Sequence, residues 1–303
     1  MLSINTNAAS MAAVNAINKS NASLSQSMER LATGKRINSS ADDAAGKQIA
    51  NRMQTQSDGM AMAQRNIADA TAMLQTADGM FDEMNDILGR MDELATQASN
   101  GTYSDDDRTA MQSEFDELGQ EMSDMLQNTT NGGTNLFNKS ENGLFTSASG
   151  VTFQVGSQST DQITINISSQ VSQLATDLGS LSAAFNSDYG TDGAGGASAS
   201  GTAGSELMTL DSANATISAV QGVMDEVGSI QSTLGATMNR LSSTATNLQS
   251  MQDNTEVAIG NIMDTDYATE ASNMSKQQVL MQTGITMLKQ SNSMSGMVSS
   301  LLQ

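Results

Sequence analysis

The sequence predicts a mainly α protein: a long antiparallel helical bundle of coiled-coil type, one small β-hairpin, and a coaxial pair of terminal helices. Three observations carry this reading. The 303 residues contain no proline, where ordinary usage of about 5% would supply roughly fifteen, and proline breaks helix interiors. Apolar residues recur in heptads through residues 49–98 and again through 210–262, the mark of long helices packed side by side. Both ends of the chain also carry helical apolar stripes, and neither end can bury its stripe alone.

The first stripe is Val14, Ile17, Leu24, Met28 and Leu31. It runs into LATGKRINSSADDAAG at residues 31–46, where Gly34 is placed to end the helix. Ser40 is expected to cap the next helix, with Asp43 completing a capping box. The Asp42 and Asp43 carboxylates would then sit in a first turn, where the helix dipole favours negative charge. From Ile49 one seam reads Met53, Met60, Ile67, Leu74, Phe81 and Leu88. Its companion reads Ile49, Ala63, Ala70, Ala77, Met84 and Met91, with Gln56 as the only interruption before Ala98.

After the turn-forming SNGTYSDDD, a further helix follows with Met111, Phe115, Leu118, Met122 and Met125 on one face and acidic residues on the others. It ends at NTTNGGTN, which is turn chemistry. The period then changes to two: Val151, Phe153, Val155 and Ile163, Ile165, Ile167 predict a hairpin over 151–167. A lone hairpin is marginal in water, so it should lie on the bundle. QVSQLATDLGSLSAAF at residues 170–185 fits either a short helix or an irregular cover. Six of the fifteen residues from Gly190 to Gly204 are glycine, which reads as a flexible connection. The heptad resumes as Leu210, Ile217, Met224, Met238, Ala245, Ile259 beside Val220, Val227, Leu234, Leu241, Leu248, Ile262, broken at Gln231, Gln252 and Thr255. Leu280, Met287, Met294 and Leu301 then recur every seven residues to the end.

The order is palindromic, so first should pair with last and second with fourth. Residues 1–42 with 263–303 are expected to form an inner domain of terminal helices. Residues 43–262 are expected to form an outer helical bundle, with 168–205 as a variable, flexible connection.

Composition narrows the function. With no His and no Cys, thiol nucleophiles, imidazole bases and Cys/His zinc sites are excluded, and so is a disulfide framework. The 23 methionines read as packing between helices, not as ligands. No run approaches the ~18 apolar residues of a membrane span. The start, MLSINTNAAS, lacks the basic and apolar regions of a cleaved leader. Of the formal charge of −20, residues 1–42 hold +2 and residues 263–303 hold −1, leaving −21 for the centre. That balance argues against nucleic acid and suits near-neutral ends that pack together.

Two chemical readings of residues 31–46 fail on spacing. Gly34-Lys35 resembles the tail of a phosphate loop, but Glu29 stands where that motif needs its first glycine and Arg36 where it needs Ser or Thr. Asp42-Asp43 has no partner at metal-ligand spacing. No catalytic, cofactor-binding or metal residue is expected, and the chain does not read as an enzyme.

Several stretches together resemble bacterial flagellin. They are SINTN at 3–7, NKSNASLSQSMERLATGKRINSSADDAAGKQIANRM at 18–53, RLSSTATNLQSMQDN at 240–254, IMDTDYATEASNMSKQQVLMQTG at 262–284, and the final SLLQ. Larger flagellins insert outer domains at the centre; only about forty residues stand there here, so the likeness is to a short, core-only member.

The resemblance implies a secreted structural subunit, passed unfolded through the flagellar type III export route, that self-assembles into the extracellular helical filament used for swimming motility. The terminal stripes would carry assembly, and Lys35, Arg36, Asp42 and Asp43 would form a connector touching neighbouring subunits. Implied partners are further copies of itself, an export chaperone, the filament cap and the hook–filament junction proteins. Arg90, Leu94 and Glu114 match a flagellin surface sensed by a vertebrate Toll-like receptor. The alternatives are the hook–filament junction protein, which shares such terminal helices, and a secreted coiled-coil adhesin or binding module.

Overall fold

A computed structural model describes residues 7–138, 143–185 and 204–301. Six long or medium helices and two short hairpins account for them: α1 (Ala8–Thr33), α2 (Ala44–Ala98), α3 (Asp105–Asn128), β1 (Thr130–Asn131), β2 (Thr134–Asn135), β3 (Val151–Gln154), β4 (Gln162–Ile165), α4 (Ser168–Leu181), α5 (Leu210–Met263) and α6 (Tyr267–Leu301). The chain divides into two compact units, Gly59–Ser250 and Met1–Asp58 with Met251–Gln303. Both cuts fall inside long helices, α2 and α5, whereas the expected boundaries at 42/43 and 262/263 lie at the connectors.

The larger unit has one continuous core. Both predicted seams of α2 are buried from Met60 to Ala98. Helix α3 starts with a full capping box, in which the Ser104 side chain accepts from Asp107 N–H and the Asp107 carboxylate accepts from Ser104 N–H. It buries Met111, Phe115, Met122 and Leu126. Arg108, buried at the side of this helix, donates from Nε to Ala98 O at 3.1 Å and from Nη2 to Asn100 O at 3.3 Å. The carbonyls left over at the end of α2 thereby find donors.

The α5 seam differs from the predicted one. Val220, Val227, Leu234, Leu241 and Leu248 are buried as expected, but their companions are Thr216, Val223, Ile230 and Thr237. Ile217, Met224, Met238 and Ala245, one residue further on, are only partly buried. Two threonines at seam positions hid the true pattern. Their hydroxyls are satisfied inside the helix, Thr216 Oγ1 donating to Ser212 O at 3.0 Å and Thr237 Oγ1 to Thr233 O at 2.9 Å, so burying them leaves no orphan polar group. Gln231, read as a break, links two helices: it donates to Asp82 Oδ1 at 2.7 Å and accepts from Asn85 Nδ2 at 3.2 Å on α2.

The hairpins sit where the patterns placed them. NTTNGGTN closes as β1–β2 with Asn131 opposite Thr134, and Gly132 and Gly133 both take positive φ, as the tight primed turn demands. In β3–β4, Val151 faces Ile165 and Phe153 faces Ile163. Val155, Ile163, Ile165 and Ile167 join the bundle core, and Asn66 Nδ2 of α2 donates to Gln154 O at 3.2 Å. Residues 168–181 are helix, with Val171, Leu174, Leu178 and Leu181 buried. This part of the predicted flexible connection is therefore core, because its apolar residues fall at spacings of three and four. The glycine-rich remainder, 186–203, lies outside the described residues.

In the other unit α1 and α6 run antiparallel. Asn7 Nδ2 donates to Ser291 Oγ at 3.0 Å and Ser10 Oγ to Asn292 Oδ1 at 3.3 Å, while at the opposite end Arg30 lies 3.8 Å from Glu270. At their middle the helices approach closely: a Cβ on Gly284 would stand 2.8 Å from Ile17 Cγ1.

Candidate functional site

Two features of the terminal unit concern function, the connector and the faces of α1 and α6. Gly34 ends α1 in the left-handed conformation, φ 71°, with its N–H on Arg30 O. Tyr267 Oη would meet a Cβ there at 3.1 Å, but the tip of that exposed side chain can give way, so it is φ that selects glycine. The chain then pairs with the α5–α6 connection. Lys35 and Asp264 form an antiparallel bridge, Arg36 N–H donates to Met263 O at 2.6 Å and Thr265 N–H to Gly34 O at 3.0 Å. Ile37 packs with Ala50 and Met263 in a small core of its own.

The four connector residues have distinct jobs. Arg36 Nη2 donates to Ile262 O at 2.8 Å, a cation at the C-terminus of α5 where the helix dipole welcomes it. Asp42 Oδ2 accepts the N–H groups of Asn38 and Ser39 at 3.2 and 2.9 Å, and Oδ1 accepts from Gln26 at 2.7 Å. The Ser39 backbone bond, with Gln26 next, holds the Asp42 carboxyl below the usual carboxylate range. Asp43, not Ser40, caps α2: its Oδ1 accepts from Gly46 N–H at 2.9 Å and its carbonyl from Lys47 N–H at 3.0 Å. The expected Ser40 cap fails because residues 39–42 are already folded into the turn that Asp42 closes. Of the four, Lys35 alone has an exposed side chain that makes neither an ion pair nor a hydrogen bond within the described residues, whereas Arg36 and Asp43, also exposed, each bond the backbone. Arg30, which spacing did not single out, lies 3.9 Å from Asp42 and 3.8 Å from Glu270, joining α1 to both the connector and α6. On the other side, Asp266 caps α6, accepting from Ala268 N–H at 2.9 Å and from Thr269 Oγ1 at 2.8 Å.

The apolar stripes of α1 and α6 divide between two directions. Ile17, Leu24 and Leu31, seven residues apart, are buried or half-buried, and so are Met274, Met281 and Leu288 on α6. These form the seam between the two helices. Val14 and Met28 on α1, and Leu280, Met287 and Met294 on α6, are instead between 41% and 64% exposed, together with Val279 and Ile285. Leu301 closes α6, and its side chain lies outside the described ones. The predicted α6 stripe thus points away from α1, and the sequence reading missed the inward one because Gly284 and Ser291 interrupt it.

Arg90 and Glu114 are joined on the surface of the larger unit, Arg90 Nη2 and Nε each standing 2.8 Å from Glu114 Oε1. Leu94 belongs to the core at 2% exposure, so it contributes no surface to that patch in the subunit. A crevice of about 740 Å³ between the 143–152 loop and α4 is lined by Thr146, Ser147, Thr152, Ser172 and apolar groups, none of them titratable. Among the described residues no three carboxylates gather as a metal site, and no helix is long and apolar enough to cross a membrane.

The described terminal helices thus form an antiparallel pair with an exposed apolar face, and comparison with known proteins gives the family. Residues 4–142 match the bacterial flagellin N-terminal helical region and residues 217–302 the bacterial flagellin C-terminal helical region. The chain belongs to the bacterial flagellin family. A flagellin of Listeria monocytogenes is 32% identical over 99% of both chains. Polar flagellin F of Vibrio parahaemolyticus is 40% identical over 168 residues, covering 55% of this chain and 43% of its own. A solved structure of a candidate flagellar hook-associated protein from Vibrio parahaemolyticus, 15% identical, covers 74% of this chain and all of that one at a TM-score of 0.57; it shares the fold. This flagellin is a structural subunit that self-assembles into the extracellular filament of the bacterial flagellum. The hook–filament junction reading is not favoured.

Proposed function

We propose that the outward apolar faces of α1 and α6 are the surfaces through which one copy of this flagellin packs on another, forming the inner layer of the filament. One observation carries this: Val14, Met28, Leu280, Met287 and Met294 leave large apolar groups in water along helices whose inner seam is already filled. Contiguous exposed apolar surface marks an interaction site, and the near-neutral charge of residues 1–42 and 263–303 lets copies approach there. Lys35, the connector cation without an internal task, is assigned to a neighbouring subunit; Arg36, Asp42 and Asp43 support it by holding the connector's shape.

The same faces need cover before assembly, which is the role assigned to an export chaperone. The filament cap and the junction proteins are assigned contacts with the same terminal helices at the two ends of the filament. Export through the flagellar type III route belongs to this reading, and a chain without cysteine has no disulfide to form or lose outside the cell. Recognition by a vertebrate Toll-like receptor is assigned to the Arg90–Glu114 pair; binding of monomer unaffected by Arg90→Ala and Glu114→Ala would remove that assignment.

Seeded growth tests the main proposal. Purified subunit should elongate short filament fragments without limit, and removal of residues 1–30 or 280–303 should abolish elongation while circular dichroism still reports a folded helical bundle. Elongation by either truncated chain at the full-length rate would sink the assignment.

A further inference from the structure

Methionine is placed unevenly in this molecule. In the larger unit Met60, Met84, Met91 and Met122 are core, at most 1% exposed, although Met62 is exposed. On the terminal helices Met274 and Met281 enter the inner seam, while Met11 and Met28 on α1, at 62% and 48%, and Met287 and Met294 on α6, at 64% and 54%, lie on the outer faces. Met287 and Met294 are one heptad apart and so share a face. The Asn7–Ser291 and Ser10–Asn292 bonds set Met11 level with them, at the end of the pair remote from the connector. Leucine or isoleucine would serve packing there as well, whereas a thioether brings chemistry that aliphatic side chains lack.

We propose that these four methionines are sites of reversible sulfoxide formation that governs whether a subunit can join the filament, an inference that rests on the assembly reading above. The oxidant is a two-electron oxygen donor such as hydrogen peroxide. A sulfur lone pair attacks one peroxide oxygen, the S–O bond forms, the O–O bond breaks, and the departing hydroxide takes up the remaining proton as water. Sulfur is oxidised by two electrons and the peroxide is reduced by two. The product is a polar, strongly accepting group in place of an apolar one. Burying it between copies without a donor is costly; one such group per interface is enough to raise the critical concentration for growth by about tenfold. Once a subunit is in place its thioethers are covered, so the filament resists the oxidant that disables the free subunit. Methionine sulfoxide reductases supplied with a dithiol reverse the change: the sulfoxide takes two electrons and two protons, its oxygen leaves as water, and the dithiol closes to a disulfide.

The test compares monomer and filament under hydrogen peroxide, with oxidised sites mapped by peptide mass spectrometry. Monomer should be oxidised at Met11, Met28, Met287 and Met294 and not at Met60, Met84, Met91 or Met122. Filaments should protect the first four. Oxidised monomer should show at least a tenfold higher critical concentration in seeded elongation with unchanged helical circular dichroism, and reductase treatment should restore growth. A variant with Met11→Leu, Met28→Leu, Met287→Leu and Met294→Leu retains Met62, Met251 and, near the end of α6, Met297, which are also exposed; treated with peroxide, it should elongate seeds like untreated protein.

Normal elongation by oxidised wild-type monomer overturns the proposal. So does an equal block of the four-leucine variant, equal oxidation of the four sites in monomer and filament, or loss of helical signal on oxidation. If the leucine variant does not assemble, the protection pattern of the wild type decides. Failure of untreated wild type to elongate seeds is a different result, since it removes the assembly reading itself.

Discussion

Arg36 and Arg108 close two helices, the first donating to Ile262 O at the end of α5 and the second to Ala98 O and Asn100 O at the end of α2. Neither set of carbonyl contacts is recognisable by spacing, which offers only the pair of Arg108 with Asp105 three residues before it, because a cation bonded to backbone carbonyls leaves no trace in the sequence of its acceptors. Glu226 is the residue whose titration should be visible. Burial pushes its carboxyl up to about 7, and hydrogen bonding with the neighbouring Asp177 carboxyl adds to the shift. One oxygen, Oε2, is buried with no donor facing it, so a proton held between the two carboxyls supplies the missing bond. Its folded pKa stands above the unfolded value of 4.5, so the folded state keeps a proton that the unfolded state has released. Stability should therefore fall as pH rises from about 4.5 to about 7 and be level above that. Glu226→Gln should flatten this slope and raise the urea midpoint at pH 8, measured on the full chain; an unchanged slope would show that the pair is not protonated.

At the scale of elements, the helices were legible because a heptad sustained over many turns has no other physical explanation. Which residues face inward along α5 was less so. A hydrophobic count prefers Ile217, Met224, Met238 and Ala245, while packing prefers Thr216, Val223, Ile230 and Thr237. The two rows differ by one position, about 100° around the helix, and threonines that bond back to the preceding turn allow the second. Truncating one isoleucine in each row separates them. Ile230→Ala should lower unfolding free energy by about 2–5 kcal/mol, and Ile217→Ala by roughly 1–2 kcal/mol, read from urea denaturation with unchanged m-value. Equal losses would return the seam to the row that the hydrophobic count chose. Helix α4 teaches the same point: its buried face was present in the spacing of Val171, Leu174, Leu178 and Leu181, but a stretch this short and polar also fits an irregular cover.

At the scale of the whole molecule, charge and apolar surface oppose each other in assembly. Each copy carries −20, with −21 in residues 43–262 and +1 in the two ends together, while the faces assigned to contact lie on the near-neutral terminal helices. Bringing copies together concentrates negative charge, which opposes growth until salt screens it. As ionic strength rises from 0.01 to 0.15 M the Debye length shortens from about 30 Å to about 8 Å. The critical concentration for seeded elongation should fall over that range, followed by light scattering. A rise with salt would mean that attraction between opposite charges, not apolar burial, drives subunit addition.

The residues alone determined the helical class, the long heptad helices, the hairpin on its period of two and, through the matching stretches at both ends, the family. These follow from local spacing, which is the same whatever the chain packs against. Only the tertiary structure decided direction. It turned Ile17, Leu24 and Leu31 toward α6 and Val14, Met28, Leu280, Met287 and Met294 toward water, and it moved the cap of α2 from Ser40 to Asp43. A heptad says that a stripe will be buried but not by which partner. For a helix with apolar residues on more than one side, the close approach of another helix, here at Gly284 against Ile17, selects the face used within the chain and leaves the other exposed.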